Sequence, residues 1–97
     1  MKASDLRKGM LVRLKKGACA FTLGEQPNLE LIIVPNRVSN FLHTNKQYSA
    51  FSTDCMMYIG YKPIKVANKR KNQRYFLADS LVYKLKNRTL RFLEPAV

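Results

Sequence analysis

Short segments of alternating polarity, separated by turn residues, constrain the fold of this chain most. Residues 10–15 and residues 81–86 each place apolar side chains on one face, and apart from Leu11 and Val82 they place charged side chains on the other. A period of two with one polar face is typical of a half-buried antiparallel strand. Residues 55–62 are apolar on both faces at their start, which predicts a central strand. Gly60 inside that strand predicts a bulge or a close backbone approach.

Further segments extend this pattern along the chain. Val38, Phe41 and Leu42 have helical spacing and predict one short helix around residues 36–44. Residues 47–53 fit a loop and an edge strand equally well. Apolar composition and flanking turn residues predict additional short strands over residues 18–23, 29–34, 74–78 and 89–93.

This strand count predicts the fold class. Six or seven short strands in 97 residues predict a mainly all-β fold in one domain covering residues 1–97. The expected architecture is a small antiparallel barrel of five to seven short strands, because barrel closure removes exposed edges. A hydrophobic content of 46% argues against disorder in spite of the high charge.

Two stretches carry a resemblance to known families. Residues 5–12 (DLRKGMLV) resemble the opening of SH3-like barrels, including KOW-type domains and the N-terminal barrel of bacterial elongation factor P. The Pro-Gly-Lys-Gly loop of that factor is missing, so no functional residue is transferred. Residues 57–61 (MYIGY), a basic hairpin and residues 91–95 (RFLEP) are similar to small accessory proteins of tailed phages. The resemblance implies an SH3-like barrel of phage origin and no catalytic residues.

The positive charge is concentrated at the two ends of the chain. Residues 1–17 carry six Lys/Arg and one acid, and residues 62–97 carry ten Lys/Arg and two acids. Residues 18–61 carry two basic and three acidic residues, and the whole chain has a net charge of +12. A field of this size requires a counter-charge, and nucleic acid is the commonest one.

The densest basic cluster surrounds a predicted hairpin tip at residues 67–73. Lysine and arginine on a flexible tip can reach phosphates, neighbouring amides can donate to phosphates or base edges, and a β-ribbon can enter a groove. The alternative is a solvated hairpin whose charge opposes edge aggregation. The residues predicted to bind nucleic acid here are Lys65, Lys69, Arg70, Lys71 and Arg74.

A second basic patch is predicted where the first and last strands pair, as they usually do in SH3-like barrels. Like charges that face each other across strands are destabilising, so their retention indicates a use. The alternative is that these side chains point separately into solvent. The predicted patch, also assigned to nucleic-acid binding, comprises Arg13, Lys15, Lys16, Lys84, Lys86 and Arg88.

Aromatic residues are interleaved with the basic ones. Exposed tyrosines can stack on unpaired bases, and Tyr61 and Tyr75 are the candidates for stacking. Phe76 and Phe92 are instead predicted to lie in the hydrophobic core, because a barrel of this size needs large apolar side chains.

The residues predict no catalytic or metal site. His43 has no partner acid or nucleophile in a recognised motif, and the six acids are scattered singly. Cys19 and Cys55 are interpreted as reduced, partly buried thiols, with a disulfide as the alternative. We therefore predict a non-enzymatic protein without metal or cofactor.

Two functions follow from these observations. The first is a protein that binds nucleic acid mainly through electrostatic contacts, with weak sequence specificity and a preference for duplex DNA over RNA. If it is phage-encoded, we expect it to act on the host nucleoid or on transcription. The second is a basic interaction module that binds and modulates an acidic host protein. The absence of a signal-like or membrane-length apolar run predicts a cytoplasmic location, in the host cytoplasm for a phage protein. The oligomeric state stays open.

Overall fold

A computed structural model describes residues 1–96 and consists mainly of β-strands. One α-helix, α1 (Ser39–His43), and 3-10 helices at Ala3–Asp5, Asn36–Val38 and Asn87–Phe92 complete the secondary structure of these residues. The eight strands in this part of the chain are β1 (Leu11–Leu14), β2 (Ala18–Leu23), β3 (Glu30–Pro35), β4 (Tyr48–Phe51), β5 (Met56–Val66), β6 (Lys69–Ala78), β7 (Leu81–Leu85) and β8 (Leu93–Pro95).

These strands form one sheet in the order β4-β2-β3-β7-β6-β5-β1-β8. Neighbouring strands are antiparallel except β3 and β7, which are parallel where Glu30 lies opposite Lys84. The mainly β prediction is confirmed, whereas the predictions of five to seven strands and of an entirely antiparallel arrangement are wrong. The parallel pair arises because β5, β6 and β7 form one meander, and its last strand runs beside β3 in the same direction.

Two tight turns join the strands of this meander. Residues 67–68 and residues 79–80 all have positive φ angles, between 49° and 67°. Such two-residue turns match the right-handed twist of paired strands. The first turn pairs β5 with β6 out to Val66 and Lys69. The prediction of a flexible basic tip over residues 67–73 is therefore wrong, because most of that segment is paired strand.

Gly60 lies at an irregularity in the longest strand. The β5–β6 register shifts between Tyr58 and Gly60, and Gly60 has a φ of +129°. A Cβ atom at this position would lie 3.1 Å from Cε of Lys8. The predicted bulge is confirmed, whereas the nearby atoms belong to a side chain and not to backbone, and the positive φ explains why glycine is favoured there.

The middle of the chain contains the predicted short helix. The 3-10 helix at Asn36–Val38 continues directly into α1, which confirms a helix around residues 36–44. Phe41 is nevertheless 78% exposed, so its helical spacing does not mark a buried face. Residues 47–53, for which loop and edge strand were equal alternatives, contain the edge strand β4.

The prediction of a last strand over residues 89–93 is wrong. Residues 87–92 form a 3-10 helix, and the final strand β8 begins only at Leu93. The hydroxyl of Thr89 donates a hydrogen bond to the backbone carbonyl of Lys86 at 2.7 Å, and the Thr89 N–H donates to the same oxygen at 3.0 Å. These two bonds close a turn, and they compete with an extended backbone.

The core is built by the side chains that the sheet and the last 3-10 helix direct inwards. Phe76 is fully buried, and Phe92 is half-buried against the core, so the assignment of both phenylalanines to the core is confirmed. The largest side chains with less than 2% exposure are Val12, Phe21, Leu31, Met56, Phe76, Leu85, Leu90 and Leu93.

The cysteines are placed as predicted. Cys19 and Cys55 are free and half-buried. His43 lies on the surface, where its ring meets the ring of Phe21 edge-on with centroids 4.9 Å apart. Within residues 1–96, no group of three or more potential metal ligands is found, and no helix has the length and apolarity needed to cross a membrane.

Truncation of Leu93 tests the importance of the β1–β8 contact for stability. Leu93 is fully buried and lies opposite Leu14. We expect Leu93→Ala to lower the free energy of unfolding by about 2–5 kcal/mol, because it leaves a cavity. The control Leu81→Ala removes the same atoms from a side chain that is 40% exposed and should cost about 1 kcal/mol or less. Chemical denaturation measures both, and equal losses would contradict this core assignment.

Burial of Tyr83 makes stability depend on alkaline pH. Burial raises the pKa of the Tyr83 hydroxyl, and the negative charge of Asp79 raises it further. Above a pH of about 10 the tyrosine ionises in the unfolded chain before it ionises in the folded one, so the free energy of unfolding falls as pH rises. We expect Tyr83→Phe to weaken this decline, as measured by denaturation between neutral and alkaline pH. Parallel curves for the two proteins would contradict the assignment.

Candidate nucleic-acid interface

The longest hairpin of the sheet extends beyond its neighbours. On one side, β1 pairs with β5 only at Met56 and Met57, and on the other side β7 pairs with β6 only over residues 74–78. Residues 62–66 and 69–73 therefore form a two-stranded extension with no further strand beside it in the described chain. We call this extension, with its turn, the basic ribbon (residues 62–73).

The basic ribbon combines high exposure with charge of one sign. Every residue from 65 to 72 is exposed, and residues 55–78 contain six Lys/Arg and no acid. Lys65 lies directly opposite Arg70. Like charges at this position destabilise the pairing of the strands, so an anion bound between them would relieve a repulsion. The predicted binding residues on the ribbon itself are Lys65, Lys69, Arg70 and Lys71.

Arg74, also predicted to bind nucleic acid, lies at the base of the ribbon and is engaged within the protein. Its Nη1 donates a hydrogen bond to the hydroxyl of Tyr58 at 2.8 Å, and its Nε donates to Oδ1 of Asn87 at 3.3 Å. Its guanidinium also lies over the ring of Tyr61, 4.9 Å from the centroid. Arg74 therefore joins three strands or segments and fixes the direction in which the ribbon leaves the sheet.

A groove runs along the outer side of β6, where β7 has ended. Its volume is about 770 Å³, and its second wall is the segment that follows β7. We call it the basic groove. Ile64, Val66 and Leu85 supply its apolar surface, and none of its lining residues in the described chain is acidic. Its polar lining consists of Arg70, Lys71, Asn72, Gln73, Lys86, Asn87 and Arg88.

The second predicted patch is divided by the sheet order. The predicted pairing of the first and last strands is confirmed, since β1 pairs with β8. Its register places Glu94 opposite Arg13, and their side chains form an ion pair at 3.2 Å. Lys84 lies on β7, which β6 and β5 separate from β1. The prediction that Arg13 and Lys84 merge into one patch on neighbouring strands is therefore wrong.

The other members of that patch have different surroundings. Lys15 and Lys16 are exposed immediately after β1. Lys86 and Arg88 line the basic groove together with the ribbon, although Nζ of Lys86 also lies 3.8 Å from a carboxylate oxygen of Glu30. The structure thus places part of the predicted patch beside the basic ribbon instead of beside β1.

The two candidate stacking residues differ in exposure. Tyr61 is 57% exposed, but the guanidinium of Arg74 covers one face of its ring. Tyr75 is half-buried. Sequence reasoning missed Asn87 and Leu85 as parts of this region, and their residue types contain no signal that could have placed them there. Their position follows only from the point at which β7 ends.

Comparison with known proteins adds no relative. The chain has no significant match among protein-family models, curated protein sequences or solved structures. The interpretation of the ribbon and the groove therefore depends on their own geometry and charge.

Replacement of Arg74 by lysine separates its structural contacts from its charge. A lysine carries one donor nitrogen in place of the planar fork, so Arg74→Lys cannot keep the bonds to Tyr58 and Asn87 in their present geometry, and we expect the free energy of unfolding to fall by about 1–3 kcal/mol. The matched control Arg70→Lys changes an exposed arginine on the same strand and should stay within about 0.5 kcal/mol. Chemical denaturation compares the two, and equal stabilities would show that the Arg74 contacts do not support the fold.

Proposed function

We propose that this protein is a non-enzymatic, cytoplasmic protein that binds duplex DNA, mainly through electrostatic contacts with the phosphates. The observation that carries this proposal is the exposed basic ribbon, which concentrates five Lys/Arg in residues 62–73 with no acid nearby in sequence. Each lysine or arginine that reaches a phosphate releases condensed counterions, so such a surface favours nucleic acid without reading its sequence.

The dimensions of the ribbon support a duplex as the ligand. Five residues on each side of the turn form five pairs, which give a length of roughly 17 Å at the usual rise of a strand. The major groove of B-DNA is about 12 Å wide and admits a two-stranded ribbon. The deep, narrow major groove of an RNA helix does not, which favours DNA over double-stranded RNA.

We further propose that the sheet curls towards a small SH3-like barrel. The 3-10 helix at Asn87–Phe92 packs against β3 and β6, near the middle of the sheet order, and continues directly into β8, which lies at one end of that order. Contacts of this kind favour a curved sheet around a common core. A barrel would hold the ribbon at one end of a rigid body, from which it could reach a DNA groove. The resemblance to phage accessory proteins makes host nucleoid or transcription the proposed biological target.

Titration of labelled DNA at several salt concentrations tests this function. We expect binding of a duplex oligonucleotide, weaker binding of a single strand and of double-stranded RNA, and a plot of log affinity against log salt with a slope of about −4 to −5. Absence of duplex binding at low salt would refute the proposal. Preference for the single strand or the RNA would refute the assignment to duplex DNA.

Removal of two ribbon lysines locates the interface. We expect Lys69→Ala combined with Lys71→Ala to weaken duplex binding at every sequence tested and to make the salt slope about 2 less steep, because two phosphate contacts are lost. The control, Arg37→Ala combined with Lys46→Ala, removes the same charge from exposed positions outside both predicted patches. A third double variant, Lys15→Ala with Lys16→Ala, tests the end of β1. The ribbon assignment is wrong if either of the other pairs has the larger effect.

A further inference from the structure

We propose that the basic groove is a strand-addition site, in which an extended acidic peptide segment pairs with the outer edge of β6. This inference is independent of DNA binding by the ribbon, because it concerns backbone groups of one edge and a different class of ligand. It rests on three observations, which are the direction of the free backbone groups, the asymmetry of the two ribbon edges and the charge of the groove.

The pairing pattern determines which backbone groups of β6 are free. In a hairpin with a two-residue turn, the two residues that flank the turn form a hydrogen-bonded pair. These pairs are Val66 with Lys69 in the first hairpin and Ala78 with Leu81 in the second. Because hydrogen-bonded and non-bonded pairs alternate in antiparallel strands, every second residue of β6 points its N–H and C=O towards β7. The last of these residues to find a partner is Arg74, which lies opposite Leu85.

Beyond Arg74 the same alternation continues without a partner strand. Asn72 and Arg70 are the next two residues that point their N–H and C=O away from β5. β7 ends at Leu85, so in the described chain no strand pairs with them on that side. A phosphate could accept from the two N–H groups, but only an extended polypeptide satisfies the N–H and the C=O groups together.

The opposite edge of the ribbon is closed to strand addition. Pro63 and Lys65 lie opposite Asn72 and Arg70, so they are the residues of β5 whose backbone groups point outwards. Pro63 has no N–H, and a proline at such a position blocks the approach of another strand. The β6 edge has no proline and faces the groove. The β5 edge of the ribbon is therefore blocked to another strand, whereas the β6 edge is open.

The charge of the groove indicates the chemistry of the added strand. The groove is lined by Arg70 and Lys71 of β6 and by Lys86 and Arg88 of the segment after β7, together with apolar side chains. A strand seated about 4.8 Å from β6 would place one set of alternate side chains on the face of Lys65 and Arg70 and the other set on the face that carries Ile64. We therefore expect an occupant that alternates aspartate or glutamate with apolar residues, as in an acidic extended segment of a partner protein.

A short labelled peptide provides the test with the intact protein. The probe has about nine residues, a common strand length that extends past both ends of the free edge at Arg70 and Asn72, and it alternates glutamate with valine. Its controls are the same peptide with lysine for glutamate and the glutamate peptide with every backbone amide N-methylated, because methylation of alternate amides would leave one edge of the peptide free to pair. We expect the first probe to bind and both controls to bind at least about tenfold more weakly than it does. Binding of the probe should change the amide chemical shifts of Arg70 and Asn72. Equal binding of the methylated peptide would overturn the proposal without any change to the protein.

A matched pair of variants tests the edge itself. Asn72→Pro removes the outward N–H without a loss of charge, at a position opposite a proline that the ribbon already accommodates. Asn72→Ala removes the side chain and keeps the N–H. We expect the proline variant to weaken peptide binding about tenfold or more and the alanine variant to remain within about twofold. Equal peptide affinities of the two variants would refute strand addition. If the amide chemical shifts of Arg70 and Asn72 changed with a duplex oligonucleotide but not with the peptide, the groove would be a phosphate site instead.

The same variant distinguishes a failure of the strand-addition proposal from a failure of the DNA-binding proposal. The Asn72→Pro variant retains every cation of the ribbon, so we expect its duplex DNA affinity to stay within about twofold of the parent protein. Loss of peptide binding with intact DNA binding supports strand addition. Loss of both would indicate a distorted ribbon, in which case the methylated peptide on the unaltered protein decides the question.

Discussion

The pairing of β5 with β6 is the interaction on which the other parts of the structure depend. This hairpin lies inside the sheet, with β1 on one side and β7 on the other. Its inner half contributes Met56, Tyr58 and Phe76 to the core, so it is anchored by apolar burial. Its outer half has no such support. The ribbon exists because a two-residue turn keeps the strands in register beyond the point at which their neighbours end.

The distribution of charge follows the same division. In the body of the protein, Arg13 has Glu94 as a partner and Lys86 has Glu30, and in each pair an exposed cation meets a half-buried acid that solvent still reaches, so each pair contributes little to stability. On the ribbon, cations lie beside cations and no acid is near in sequence. This arrangement stabilises nothing within the hairpin, so its charge is available to a ligand. Arg74 is the exception, because its guanidinium donates hydrogen bonds to Tyr58 and Asn87 within the protein.

The ribbon presents two chemically different surfaces. Its exposed cations suit a phosphate backbone, which needs charge and little shape. Its β6 edge has outward backbone groups in a groove, which suit another polypeptide, whereas Pro63 closes the β5 edge. Since Arg70 belongs to both surfaces, the two proposed ligands would compete. Such competition would link DNA binding to the presence of an acidic partner.

The sequence alone determined the elements whose signals are local. Alternation of side chains predicted β1, β5 and β7, glycine predicted the bulge at Gly60, and helical spacing predicted the helix after β3. The sequence did not predict the 3-10 helix at Asn87–Phe92, because a threonine hydroxyl bonded to a nearby carbonyl leaves no periodic trace. The basic side chains of the ribbon were identified, but they were assigned to a loop, since the pattern of charges does not reveal how far a hairpin stays paired.

Only the tertiary structure decided which basic residues lie together. The first and last strands pair as expected, yet their register gives Arg13 an acid, and the sheet order puts two strands between Arg13 and Lys84. Lys86 and Arg88 join the ribbon because β7 ends at Leu85 and the chain then turns along the groove. Strand ends, register and neighbours depend on packing between residues distant in the chain. Composition and local pattern therefore determined that this protein is basic and mainly β, whereas long-range packing decided where its charge can act.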